Sequence, residues 1–248
     1  MPFDLGPATA AALAAALFGA AYVRGYSGFG FSAIFIAFAA LLTNPLPFVP
    51  VVFACEITMT AFQARDIRGH IDWRRVLWLL GGAAVALPFS VWAMLSVGPE
   101  VARIAVSAIV LVMSLILMSG WQLTKPIAAK GNAGVGMLSG LCNSAGVGGL
   151  PVAAFLTAQP IAPATFRATM IVYLTGLDIL TLPLFYAGGL VTWDTALAAT
   201  LAFPLLGLGV WLGGKQFTRA SPTTFRRFAV ALLMTLALIG LTRAAVGA

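Results

Sequence analysis

Ten apolar stretches, at about residues 8 to 23, 30 to 43, 47 to 64, 76 to 97, 101 to 120, 133 to 142, 147 to 158, 164 to 187, 195 to 213 and 228 to 246, take up most of this 248-residue chain. A helix needs roughly 20 apolar residues to cross the hydrocarbon core of a bilayer. Only 8% of the residues are charged, against about a quarter in soluble domains, so a water-soluble globular domain is excluded. The expected fold class is an all-α membrane protein with about 8–10 transmembrane segments and no sizeable extramembrane domain. The stretches at 133 to 142 and 147 to 158 are too short to cross as straight helices and read as half-helices or a re-entrant hairpin. The first 23 residues carry Asp4 and neither Lys nor Arg. A secretory signal starts with a basic region, so this first stretch is expected to stay as a membrane helix.

An internal offset organises the chain. Gly28-Phe29-Gly30 and Gly146-Val147-Gly148 lie 118 residues apart, and the same offset pairs Pro45 with Pro163 and Phe48 with Phe166. Trp73 matches Trp193 at 120, and Arg103-Ile104-Ala105-Val106 matches Arg227-Phe228-Ala229-Val230 at 124. The reading is a duplication, with residues 1–121 as one transmembrane repeat and 122–248 as the second. Each copy holds five apolar segments. Whether its first two cross or form a re-entrant pair, the number of crossings is odd, and the second copy is inverted.

Basic residues near short loops mark the cytoplasmic side. Arg65, Arg68, Arg74 and Arg75 share one loop, Lys125 and Lys130 another, and Lys215, Arg219, Arg226 and Arg227 a third. Threading these inside puts both termini in the periplasm. Arg24 and Arg167 then fall inside and only Arg103 and Arg243 outside, while Asp4, Glu100 and Asp194 face out. The net charge of +7 thus reports topology and not a nucleic-acid surface. Trp73 and Trp193, each opening a long apolar stretch, read as interfacial anchors.

The two glycine-rich breaks are the first candidate site. Glycine admits unusual backbone angles, so successive N–H groups can turn toward a ligand, and a following helix offers its positive end to an anion. Ser27, Ser32, Asn143 and Ser144 add side-chain donors around Gly28, Gly30, Gly146, Gly148 and Gly149. Corresponding breaks in the two halves of a transporter point to its binding site. Close helix packing is the competing explanation for small residues, and it suits the GxxxG spacing of Gly136 and Gly140.

Glu56 and Asp178 are the second candidates, as carboxylates within apolar sequence. An ionised acid at mid-bilayer costs roughly 2.5–3.5 kcal/mol on insertion scales. It is therefore paired, protonated or open to an aqueous cavity, which makes both proton-coupling candidates. The alternative is a structural hydrogen bond to a neighbouring helix. Neither acid is duplicated, since at the 118-residue offset Glu56 meets Leu174 and Asp178 meets Thr60. Arg24 and Arg167 complete the substrate-binding candidates, because a guanidinium suits the oxygens of sulfite, a sulfonate or a carboxylate.

Enzyme chemistry finds no support. The single histidine, His70, sits in a basic loop read as a solvated turn, and there is no His-Glu-x-x-His motif and no Gly-x-x-x-x-Gly-Lys loop. Cys55 and Cys142 are isolated in apolar segments, so neither a zinc site nor a disulfide is indicated, and neither metal nor cofactor is expected.

With the Gly28-Phe29-Gly30 break, the Arg68-Gly69-His70-Ile71-Asp72-Trp73-Arg74 loop and the Gly146-Val147-Gly148-Gly149-Leu150-Pro151 break, the chain resembles the sulfite exporter TauE/SafE family over nearly its whole length. The first break departs from the family's longer glycine run, having Phe31 and Ser32. The resemblance implies a permease of the bacterial inner membrane that moves sulfite, organosulfonates such as sulfoacetate, or related small anions. The expected mechanism is secondary transport by alternating access, rocking one repeat against the other, with coupling to protons open. A passive anion channel and a non-transporting scaffold subunit are the alternatives. The expected partners are the small anion and the lipid bilayer, with no nucleic acid, and a homodimer is compatible with the sequence.

Overall fold

In the computed structural model, residues 2–119, 122, 123, 127, 129–217, 231, 234, 235 and 238 are described. Their regular elements are all helical: α1 (Pro7–Ser27), α2 (Phe31–Leu42), α3 (Val49–Ile67), α4 (Trp73–Leu95), α5 (Pro99–Met118), α6 (Ala129–Asn143), α7 (Gly149–Thr157), α8 (Pro163–Ala187) and α9 (Trp193–Phe217). Among the described residues six helices are long and apolar enough to cross a membrane. They are α1, α4, α5, α8, α9 and α3, the last lengthened at both ends by short 3-10 turns to span Leu46–His70. The other three helices, α2, α6 and α7, have only 12, 15 and 9 residues. Most of the apolar stretch at 228 to 246, with Lys125, Arg219, Arg226, Arg227 and Arg243, lies outside the described residues.

The long helices turn large apolar side chains outward and bury a few charges within. Trp78, Phe89, Trp92, Leu201, Phe203 and Trp211 are exposed, whereas Arg24, Glu56 and Asp178 are at most 1% exposed. This distribution is costly in water and natural in lipid, where polar groups must find partners inside the protein. The chain is thus a multi-pass membrane protein. Trp73 and Trp193 open α4 and α9 and are both exposed. Arg68, Gly69 and His70 form an exposed turn after α3.

At the centre α3 packs on α8, α1 runs along α9 and α4 runs along α6. In addition α3 touches α9, and α8 touches α4. Exchanging α1, α2, α3 and α4 with α6, α7, α8 and α9 reproduces these contacts and also pairs α1–α2 with α6–α7. The 118-residue offset thus has a counterpart in the packing.

Small residues let the outer pairs approach backbone to backbone. A Cβ added at Gly140 would lie 2.7 Å from the Ala83 carbonyl oxygen, and one at Gly136 would collide with that of Leu79, so the GxxxG spacing belongs to the α4–α6 contact. On the other side a Cβ at Gly25 would come within 2.5 Å of the Val210 carbonyl oxygen. Such contacts replace the hydrophobic drive that lipid cannot provide.

Two adjacent glycines give a test with opposite signs. A Cβ at Gly82 would collide with the Ala133 carbonyl oxygen, while one at Gly81 meets nothing within 4 Å. Thermal unfolding of the detergent-purified variants should show Gly82→Ala destabilised by about 1–3 kcal/mol and Gly81→Ala unchanged or stabilised by about 0.5–1 kcal/mol. Equal behaviour of the two would contradict the α4–α6 contact.

Candidate functional site

The breaks end helices in buried surroundings. Gly28 closes α1 in the left-handed region (φ 82), its N–H donating to the Arg24 carbonyl, and Gly30 precedes α2 at φ 92. Gly146, the counterpart of Gly28 at the 118-residue offset, is also left-handed (φ 74). Gly148 departs from Gly30, with ordinary helical angles (φ −60). What Gly148 needs is space, since a Cβ there would lie 2.5 Å from Asn143 Oδ1. The first break joins a full-length helix to a short one, and only the second joins two short helices as expected.

Both short helices that follow the breaks, α2 and α7, start without a side-chain cap, and their first residues are buried. The opening N–H groups of a helix have no partner within it, and the helix dipole makes that end positive. Two buried ends of this kind are suited to an anion. Ser32 lies in the first turn of α2 and is buried, as is Ser144 in the turn before α7. Ser27 is committed to its own turn, donating to the Val23 and Phe29 carbonyls at 2.8 Å. Gly149 opens α7 against Leu174 of α8.

Around these ends three polar clusters form. In the largest, Arg24 Nη1 lies 3.6 Å from Glu56 Oε1, and Arg24 Nη2 donates to Thr60 Oγ1 at 3.3 Å. Thr60 and Thr175 join their hydroxyls at 2.6 Å across the α3–α8 contact. The Glu56 and Asp178 carboxyl groups lie near enough to act on each other's charge, and Arg24 is near enough to act on both. Arg24 Nε and Asp178 Oδ2 are buried without hydrogen-bond partners.

Helix geometry places this cluster well inside the bundle. Glu56 lies ten residues beyond Leu46, roughly 15 Å along a span of 25 residues, and Asp178 nine residues before Ala187, roughly 14 Å from the end of another span of 25. Arg24 is fully buried in the last turn of α1 and so is not a loop charge.

A second cluster supports the other break. Asn143 Nδ2 donates to Thr181 Oγ1 at 2.9 Å, Tyr173 donates to Ser139 Oγ at 2.6 Å, and Ser139 Oγ donates to the Gly148 carbonyl. The third is Arg167, in the first turns of α8, whose Nη2 donates to the Gly25 carbonyl at 2.8 Å. Its side chain also lies so close under Gly28 that a Cβ there would be 2.9 Å from Arg167 Cγ. Sequence reasoning passed over Thr175, Thr181, Tyr173 and Gln63. Gln63 was the most legible, as an amide in apolar sequence seven residues from Glu56 and so on the same face of α3.

A sequence model of the family described as sulfite exporter TauE/SafE matches residues 12–239. The chain belongs to the sulfite exporter TauE/SafE family. No curated protein and no solved structure matches it. In this TauE/SafE protein both glycine breaks and all three polar clusters lie within the matched residues. Its family is one of transporters and not of enzymes.

The buried ion pair predicts a thermodynamic cycle. Arg24→Gln and Glu56→Gln should each destabilise the detergent-purified protein by about 3–5 kcal/mol, because each leaves a charge without its partner. The double variant should recover a large part of that loss in thermal unfolding. Additive losses would show that Arg24 and Glu56 do not act as a pair.

Proposed function

We propose that this protein is a secondary transporter of small sulfur oxyanions, sulfite or an organosulfonate such as sulfoacetate, in a bacterial inner membrane. The observation that carries this reading is the Arg24–Glu56–Asp178 cluster buried midway along α3 and α8. Family membership brings the sulfur anion to it.

The anion binds between the uncapped starts of α2 and α7, with Ser32, Asn143 and Ser144 as further donors. Arg24 supplies the positive charge. While Glu56 is ionised it holds Arg24, and a proton taken up by the Glu56–Asp178 pair frees the guanidinium for an oxyanion. One proton entering with one negative charge, as with hydrogensulfite, leaves the net charge of the site unchanged in low dielectric, where unbalanced charge is costly. Arg167 shapes the first break through the Gly25 carbonyl.

Residues 1–121 and 122–248 are the two repeats, and the second is inverted, in keeping with the packing that survives exchange of α1–α4 with α6–α9. Their basic loops lie in the cytoplasm and both termini in the periplasm. Rocking of one whole repeat against the other would tear the close α1–α9 and α4–α6 contacts, each of which joins the two repeats. The bodies that move are instead the α1–α9 pair and the α4–α6 pair, and they pivot over α3 and α8.

Proteoliposomes test the coupling. An imposed sulfite gradient should drive proton movement in the same direction, seen with an internal pH dye, and an imposed pH gradient should drive sulfite. Asp178→Asn should abolish pH-driven accumulation while leaving some downhill flux. Sulfite flux with no proton movement would refute coupling, and pH dependence unchanged in Glu56→Gln would remove Glu56 from it.

A further inference from the structure

Between α3, α8 and α9 lies a cavity of about 690 Å³, at the end of the bundle where α3 and α9 finish and α8 begins. Its lining includes the cations Arg167 and Lys215, a single acid, Asp66, and the amide of Gln63. Lys215 is steadied there, its Nζ 3.5 Å from the centre of the Trp211 ring. Asp66 and Arg167 are near enough to act on each other's charge. The lining carries two cations against one acid, and the space holds on the order of twenty water molecules. A small oxyanion can therefore enter with its hydration shell.

Gln63 marks the inner limit of that space. It is 2% exposed, and both its Oε1 and Nε2 are buried without a hydrogen-bond partner. A buried amide left unpaired carries the full desolvation penalty of its polar atoms. Such an amide has a use if a ligand pairs with it during turnover. Gln63, Thr60 and Glu56 follow one another at three- and four-residue steps on one face of α3. Gln63 is thus roughly 5 Å along the helix axis from the residue that receives Arg24.

We propose that this cavity is an anion-collecting vestibule and that Gln63 is the first desolvating ligand for a small oxyanion on its way to Arg24. Arg167 and Lys215 attract the hydrated ion. The Gln63 amide, which can turn its N–H groups toward the cavity, then replaces water on one of the ion's oxygens. This assignment rests on the anion-transport reading above and adds a second, shallower binding position to it.

The test is the sulfite concentration at half-maximal thermal stabilisation of the purified protein. Gln63→Leu has nearly the same size and removes the unpaired amide, so it should raise that midpoint at least tenfold without lowering stability in the absence of sulfite. Lys215→Gln should raise the midpoint and Asp66→Asn should lower it, and both shifts should shrink at high salt, as expected for exposed charges. Fold damage would not give opposite signs. A Gln63→Leu midpoint within twofold of the wild type, or charge variants that shift it in the same direction, would overturn the vestibule and leave the transport reading standing. If the wild-type protein gains no stability from sulfite, thiosulfate or sulfoacetate, and moves none of them in proteoliposomes, both fall together.

Discussion

The pairing of Arg24 with Glu56 at 3.6 Å, in a bundle whose outside is apolar, sets the terms for the rest of the structure. A guanidinium removed from water needs an opposite charge and hydrogen-bond acceptors, and here α3 provides the charge of Glu56 and one acceptor, Thr60 Oγ1, while Arg24 Nε stays unpaired. Arg24 stands in the last turn of α1, where the carbonyl end of the helix favours a cation. That end lies inside the protein only because Gly28 and Gly30 turn the chain back into α2 at left-handed angles. The helix break and the buried charge thus require each other. Without the break the arginine would sit mid-helix, and without the arginine the buried carbonyl end would face an uncompensated acid.

Close packing of the outer helices serves the same end. In lipid there is little hydrophobic gain from bringing helices together, so α1–α9 and α4–α6 hold through contacts that only small residues permit, such as Gly25 with Val210 and Gly140 with Ala83. These pairs flank α3 and α8, whose facing sides carry Thr60, Thr175, Glu56 and Asp178. The polar seam is therefore confined to the one contact that the rigid pairs enclose.

Much of this frame could be read from residue order alone. Among the described residues six of the ten apolar runs form helices long enough to cross a membrane, and the glycine breaks fall where α1 meets α2 and α6 meets α7. Two things escaped. Arg24 reads as a charge near a loop because the apolar run stops at this first basic residue, yet α1 continues to Ser27 and buries it. The meeting of Glu56 with Asp178 depends on how α3 and α8 face each other, and two acids 122 positions apart carry no local sign of it. The threonine bridge was hidden for the same reason, since threonine in a membrane helix commonly bonds to its own backbone, as Thr60 also does with Glu56.

The frame is nearly symmetric and the chemistry is not. At the 118-residue offset Arg24 corresponds to Cys142, Glu56 to Leu174, Thr60 to Asp178 and Gln63 to Thr181. The end of α1 reaches α3 through Arg24 and Thr60, and the end of α6 reaches α8 through Asn143 and Thr181. The second contact has the same position in the packing but no charge. A bundle with two charged clusters would have to bury a second guanidinium and its counter-ion, at a desolvation cost of several kcal/mol per ion. With one neutral and one charged cluster, both half-helix ends are supported at the desolvation cost of a single charged centre.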